Sequence, residues 1–396
     1  MTIHTIITTV DILLWLVMAA NVLYILFFAL AALLPPRTSN LKPQTSNFKP
    51  RFLILFPAYH EDAVIVNSVR TFLHQDYPKD RYEVVVISDH MSPATNAQLS
   101  LLPITLLLPS FEKSSKAKAL QFAMAQTKKD YDHVVILDAD NVVTHDFLSK
   151  LAQMANRQEV IQCHRTAKNA DNDIAALDGI SEEINNSIFR RGHNRIGLSS
   201  ALIGSGMCFD YLWFKENVKH LDSAVEDREL EALLIKQRLF VRYAEDIFVM
   251  DEKVSSSENF QRQRLRWMTG QVQALFRMLP YIPRAIVSGN INYIDKTLQQ
   301  ALIPRSILLF LIPLFTLVFM LFEQFPTLNS QFSILNWLLL LIALLLALFL
   351  AIPSRLRTKA IFSKVLALPQ LVWRMLTNIL HIRPKNKDFI HTTHSK

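Results

Sequence analysis

Asp138 and Asp140 directly follow the apolar run Val134-Val135-Ile136-Leu137. Carboxylates at i and i+2 repel unless a cation neutralises them. Hard oxygen ligands of this kind suit Mg²⁺ or Mn²⁺, which keep positions open for phosphate oxygens; the alternative is a solvated turn. Glu226-Asp227 opens a helical stretch, Arg228–Arg238. Such a pair either caps the helix, where the macrodipole favours carboxylates, or supplies a general base for an acceptor hydroxyl. In Gln263-Arg264-Leu265-Arg266-Trp267, arginine can hold a diphosphate through two parallel hydrogen bonds and tryptophan offers a flat face to a sugar. The same residue types also anchor chains at a membrane boundary. Gly204-Ser205-Gly206, the closest glycine pair, lets backbone approach a ligand or simply makes a turn. Lys116 starts a helical pattern, where it meets either a phosphate or water. His391 and His394, in Phe389–His394, either close over a site or belong to a frayed tail.

The elements that must carry these residues read as alternating strands and helices. Strands are predicted at 52–56, 83–87, 104–108, 134–137 and 160–163, with helices at 64–73 and 116–125. Continuous apolar, β-branched runs between helices predict a parallel sheet buried on both faces, with ligands bound beyond the carboxyl ends of its strands. Tyr59-His60-Glu61, Ser88-Asp89 and Asp138-Ala139-Asp140 fall at those ends.

Composition sets the surroundings. The 396 residues are 51% hydrophobic and 19% charged, with a net charge of +8. Only seven glycines occur, the first at Gly179, which excludes a GxGxxG or Walker loop before it. Ile12–Leu34 is uncharged and long enough to cross a hydrocarbon core of about 30 Å. Further apolar blocks run Ser306–Phe322 and Ile334–Ile352. Lys and Arg flank residues 37–305 and the tail, whereas the 323–333 connector has none. The positive-inside rule therefore places 37–305 and the tail in the cytosol, and the basic charge suits an anionic membrane better than nucleic acid. Stretches 274–304 and 360–382 read as interfacial amphipathic helices or as ordinary core helices. Cys163 and Cys208 are expected to be free thiols.

Taken in order, these motifs resemble the membrane-integrated family-2 glycosyltransferases, which include cellulose, chitin, hyaluronan and poly-N-acetylglucosamine synthases and ceramide glucosyltransferases. The resemblance covers residues 50–270, with a weaker echo in the tail. It implies an α/β, GT-A-type (Rossmann-like) domain inserted among transmembrane helices. Pro57-Ala58-Tyr59-His60-Glu61 is similar to the uridine-contacting turn, so Pro57, Tyr59 and Glu61 become nucleotide contacts. Asp89 matches the base-binding aspartate, and Lys116-Ala117-Lys118-Ala119-Leu120 implies that Lys116 touches the nucleotide. Asp138 and Asp140 take the metal and nucleotide-sugar role, with Mg²⁺ or Mn²⁺ as cofactor. Gly204, Ser205, Gly206 and Glu226 flank donor sugar and acceptor, and Asp227 becomes the catalytic base. Gln263 to Trp267 is a full Q-x-x-R-W match: Gln263 and Trp267 are assigned to the sugar, Arg264 and Arg266 to the diphosphate. His391, Thr392 and His394 are similar to a gating-loop remnant. Departures are His60 for asparagine, His90-Met91-Ser92 after Asp89 where glycine or asparagine is frequent, Ala117 for glycine, and Val225 for threonine.

The implied organisation is an N-terminal span (1–36), a linker (37–50), the catalytic domain (51–272), interfacial helices (273–305), a membrane hairpin (306–353) and a cytosolic tail (354–396). The implied activity is inverting transfer from a nucleotide sugar, a UDP-sugar foremost, to a lipid-linked or growing glycan acceptor at the cytosolic face of the inner membrane. Processive polysaccharide synthesis and single addition to a glycolipid both remain open, with an oligomer or export partner completing a polymer channel in the first case. The competing class is a non-catalytic membrane scaffold that binds a nucleotide sugar.

Overall fold

A computed structural model describes residues 3–36, 49–155, 160–169, 172–223, 225–254, 256–325, 330, 332, 334–358, 368–379 and 381. In chain order the elements are α1 (Ile3–Ala31), β1 (Phe52–Tyr59), α2 (Ile65–Phe72), β2 (Tyr82–Asp89), α3 (Pro93–Ser100), β3 (Thr105–Leu107), α4 (Lys116–Gln126), β4 (His133–Ile136), β5 (Val142–Val143), α5 (Phe147–Met154) and β6 (Val160–Ala167). There follow α6 (Asp173–Asn185), a π-helical turn (Asn186–Gly192), α7 (His193–Arg195), β7 (Met207–Asp210), α8 (Tyr211–Asn217), α9 (Glu226–Lys236), β8 (Val241–Asp251) and α10 (Ser257–Met278). The last helices are α11 (Ile282–Val287), α12 (Ile291–Ala301), α13 (Arg305–Phe322), α14 (Ile334–Ala351) and α15 (Leu368–Ile379). Short 3₁₀ turns join several of them.

One sheet carries the site, with strand order β3-β2-β1-β4-β7-β6-β8-β5. Strands β1 to β4 pair in parallel, with Tyr59 opposite Asp89 and Leu55 opposite Ile136. That register brings the polar residues after β1, β2 and β4 to one edge. The far half of the sheet is mixed rather than all parallel. Strand β7 lies antiparallel between β4 and β6, β6 and β8 are parallel, and β5 is antiparallel to β8. Alternation of strand and helix dictates the parallel half, because each crossover returns the chain to the same end. Strand β7 is entered from the Gly204-Ser205-Gly206 turn instead, at the site edge, and so runs the other way.

Both sheet faces are buried. Phe52, Ile54 and Phe56 point into one core with α2 and α5, and Leu53 and Leu55 into the other with α4 and α9. A third core joins α1, α13 and α14 to α6 and the π turn, centred on the fully buried Trp337. Helices α1, α13 and α14 are each long and apolar enough to cross a membrane. Their outer faces leave leucines such as Leu16, Leu317 and Leu339 exposed, as a lipid-facing surface requires. Where α1 meets the hairpin, Asp11 is buried and accepts hydrogen bonds from Trp337 Nε1 (2.8 Å) and Ser330 Oγ (2.6 Å). Helix α10, which bears the Q-x-x-R-W residues, continues unbroken across residue 272.

Candidate active site

The site sits at the sheet edge where β1, β2 and β4 end. Lys116, the first residue of α4, is placed by Ser115, whose hydroxyl caps that helix by accepting from Lys118 N. Its ammonium donates to Asp138 Oδ1 and to Gly204 O (2.6 Å), and lies 3.4 Å from Glu226 Oε1. Burial opposes a charge on Lys116, but Asp138 and Glu226 outweigh it and hold the pKa above the ordinary lysine value. Burial and the charges of Asp227 and Asp138 raise the pKa of Glu226, while Lys116 works against them. This lysine thus touches Asp138, the glycine turn and the acidic helix start at once.

Asn141, which the sequence did not single out, braces the aspartates. Its Oδ1 accepts from Asp138 N (2.9 Å) and Ser205 Oγ (2.5 Å), and its Nδ2 donates to Asp140 Oδ1 (3.1 Å). Asp140 Oδ2 accepts from Glu252 N (2.7 Å). The signal was in the sequence: an asparagine one residue past a D-x-D can bond back to the same turn.

At α9 the acidic pair serves the helix start as well as facing the cavity: Asp227 Oδ1 accepts from Arg228 N (2.8 Å). Val225 is the N-cap and makes no side-chain cap bond, while Glu226 and Asp227 occupy the first turn. Gly204, with φ of +85°, passes beside them: a Cβ there would lie 3.6 Å from Asp227 Oδ2. Val225 packs on Gly270 of α10, where a Cβ would come within 2.6 Å of Val225 Cγ1. That close approach ties the acidic helix start to the Q-x-x-R-W helix.

The departures at positions 60 and 90 acquire a reason. His60 and His90 have φ of +54° and +55°. Asparagine, glycine and histidine tolerate this left-handed region better than most residues. His60 N donates to Asp89 O (3.4 Å), and His90 Nδ1 lies 2.6 Å from Asp89 Oδ1, so both residues secure the corner where β1 and β2 end.

Both motif arginines, Arg264 and Arg266, line the site cavity, and Arg264 is in addition paired outside the motif. Its guanidinium donates to Asp178 of α6 and lies over the Trp267 ring, 4.4 Å from the ring centre. Gln263 and Trp267 also face the cavity. His391, Thr392 and His394 lie outside the described residues.

Most of the predicted site residues open on one cavity of about 750 Å³; Ser205, which is fully buried against Asn141, and Gly206 are not in its lining. Pro57, Tyr59, Glu61 and Asp89 line one part of it, and Asp138, Asp140, Gly204 and Asp227 the middle. The remainder is walled by Leu309 of α13, Leu345 and Phe349 of α14, and Ile25 of α1. Two carboxylates beside an ammonium and a left-handed glycine turn can bind an anionic donor and activate a hydroxyl. As a donor set, the Asp138 and Asp140 oxygens fit a hard divalent ion that completes its shell with phosphate oxygens. Among the described residues no group of three or more His, Cys, Asp or Glu side chains stands at metal-binding geometry.

Comparison with known proteins then decides the family. Residues 133–352 match the family described as Glycosyl transferase family group 2, and residues 53–212 match Glycosyl transferase family 2. The chain belongs to glycosyl transferase family group 2. A relative of this glycosyltransferase, the beta-monoglucosyldiacylglycerol synthase of Trichormus variabilis, is 24% identical over 235 residues, covering 56% of this chain and 48% of that protein. The probable glycosyltransferase YdaM of Bacillus subtilis is 27% identical over 95 residues, 22% of each chain. The chain thus spans less than half the length of these two relatives. Among solved structures, the mannosyltransferase PcManGT from Pyrobaculum calidifontis, in complex with GDP-Man and Mn²⁺, superposes with a TM-score of 0.59 at 16% identity, covering 95% of this chain and 100% of that one. Its fold, a GT-A domain, is the fold of this glycosyltransferase.

Proposed function

We propose that the protein is an inverting, divalent-metal-dependent hexosyltransferase that moves a sugar from a nucleotide-sugar donor to a lipid-linked acceptor at the cytosolic face of the inner membrane. The observation that carries this reading is the continuity of the cavity: Asp138 and Asp227 share it with Leu345 and Phe349 of the spanning helix α14. Two of the three named comparisons support it, one being a beta-monoglucosyldiacylglycerol synthase and the other holding GDP-Man and Mn²⁺.

In this reading Pro57, Tyr59, Glu61 and Asp89 receive the nucleoside, and Lys116 and Arg266 the diphosphate. A Mg²⁺ or Mn²⁺ ion held by Asp138 and Asp140 supplies Lewis-acid stabilisation of the departing diphosphate. Asp227 accepts the proton of the acceptor hydroxyl as that oxygen bonds to the sugar C1 and the C1–phosphate oxygen bond breaks on the opposite face. The products are the glycosylated acceptor and a nucleoside diphosphate, and the proton resides on Asp227 until water removes it. Gly204, Glu226, Gln263 and Trp267 surround the sugars, with Ser205 and Gly206 shaping the turn behind Gly204.

The apolar lining favours single addition to a lipid over processive polymerisation, and product length by mass spectrometry separates the two. The direct test is nucleoside-diphosphate release by the protein in nanodiscs, screened across UDP- and GDP-sugars with Mg²⁺ or Mn²⁺. Turnover with one donor class, abolished by chelator, is expected; silence with every donor would refute the transferase reading.

A further inference from the structure

Arg305 is the first residue of α13 and lines the same cavity. Its Nη2 donates to Ser181 O (3.1 Å), Ser181 Oγ (3.3 Å) and Asn185 Oδ1 (2.8 Å), all neutral acceptors. Its Nη1 is enclosed and has no hydrogen-bond partner. Among the described residues no carboxylate lies within ion-pair distance of it. A guanidinium taken out of water costs several kcal/mol unless a counter-charge meets it.

The surroundings do not correct the imbalance. Arg264 spends its charge on Asp178, and its Nε has no partner. Arg165 and Arg190 share Glu182, and Arg165 and Lys253 share Asp251. Around this corner Arg165, Arg190, Lys253 and Arg264 each have a carboxylate partner among Asp178, Glu182 and Asp251, whereas Arg305 is held by neutral acceptors. Burial, with the neighbouring Arg165, pushes the Arg190 pKa below the ordinary arginine value despite Glu182.

One wall of the same corner is apolar. Leu309 stands one turn beyond Arg305, and Leu345, Leu348, Phe349 and Ile352 continue the lining along α14. A free nucleotide or phosphate ion can satisfy the arginine but leaves this wall uncovered. A ligand with an anion at one end and hydrocarbon at the other satisfies both.

We propose that Arg305, with Ser181 and Asn185, holds the phosphate of an amphiphilic acceptor whose apolar chain lies against α13 and α14. This rests on the transferase reading above and names its acceptor class: a phosphate-bearing lipid whose hydroxyl-carrying head reaches Asp227. The phosphate anchors and the hydroxyl reacts.

The test uses the full chain in phosphatidylcholine nanodiscs and four probes: farnesyl phosphate, farnesol, inorganic phosphate and UDP. Farnesyl phosphate is expected to bind at least about tenfold more tightly than farnesol, and inorganic phosphate at equal concentration is expected not to displace it. Arg305→Gln is expected to weaken farnesyl phosphate binding about tenfold or more, while Arg305→Lys, which keeps the charge, stays within about threefold of wild type. Equal binding of farnesol, full displacement by inorganic phosphate, or unchanged affinity in Arg305→Gln overturns the proposal. If Arg305→Gln fails to fold, the probe comparison on wild type decides alone. Protein that binds UDP and turns over a nucleotide sugar but ignores farnesyl phosphate defeats this inference and leaves the transferase reading standing. Protein that binds farnesyl phosphate but no nucleotide refutes the transferase reading and with it the acceptor role, leaving a lipid-phosphate site alone.

Discussion

Asp227 and Asn141 separate two jobs that a single motif scan would merge. Asp227 stands in the first turn of α9 with its Oδ2 beside Gly204, while its Oδ1 accepts from Arg228 N. Asp227→Asn is expected to lower turnover by about 10²–10⁴-fold with nucleotide affinity retained, read by product release against a UDP titration. Equal turnover in the variant would remove Asp227 from the base role. Asn141 touches both aspartates and Ser205 without facing the acceptor chemistry itself. Asn141→Ala is expected to weaken Mn²⁺ dependence by about 10–100-fold, measured as the metal concentration for half-maximal rate, because the supports of metal ligands set ligand geometry. The carboxylate pair was legible in the sequence because i and i+2 neighbours after a strand stay together in any fold. The asparagine brace was less so, since Ser205 reaches it from 64 residues away.

At the scale of elements, the loop entering β7 and the buried ion cluster behind the sheet decide stability. Gly206 has φ of +63°, and a Cβ there would lie 2.9 Å from Val249 Cγ2. Gly206→Ala is expected to cost about 1–3 kcal/mol in chemical denaturation, from backbone strain and overpacking together. Glu182 of α6 pairs with Arg165 (2.9 Å) and Arg190 (3.4 Å) and lies 3.8 Å from Lys253. Burial pushes its pKa up, but the three cations outweigh it and hold the carboxyl well below the usual range. A depressed carboxylate stabilises the fold above its unfolded pKa of about 4.3, and that contribution disappears as pH falls toward the folded value. Glu182→Gln is therefore expected to destabilise by about 3–5 kcal/mol near neutral pH, with the gap to wild type narrowing below about pH 4 in thermal melts. A gap that stays constant down to acid pH would deny Glu182 its charge-pairing role. Strand and helix positions in the first half followed from periodicity. The antiparallel β7 did not, because four residues carry no direction until their neighbours are known.

At the scale of the molecule, α1 is docked against α7 and α12 rather than merely tethered to the sheet. Tyr24 OH donates to Asp295 Oδ1 (2.6 Å), and Phe28 stacks on His193 at 3.6 Å between ring centres. Gly192 lets the chains meet: a Cβ there would lie 2.3 Å from Phe28 O. Gly192→Ala is expected to lower the melting temperature and expose the junction to limited proteolysis, since backbone cannot retreat as a side chain can. Orientation is testable by single-cysteine labelling, because Cys163 and Cys208 are both buried and free. The cytosolic proposal expects Leu101→Cys to react with an impermeant maleimide in inverted vesicles, and Gln324→Cys to react in spheroplasts. The reverse pattern would turn the molecule over. The sequence by itself determined the order of the motifs, the three apolar spans and the parallel half of the sheet, because each rests on neighbours along the chain. Only the tertiary structure decided that Arg264 turns to Asp178, 86 residues away, and that Arg305 shares a cavity with Asp138. Such pairings depend on which helices the fold brings side by side, and no local pattern of residues records that.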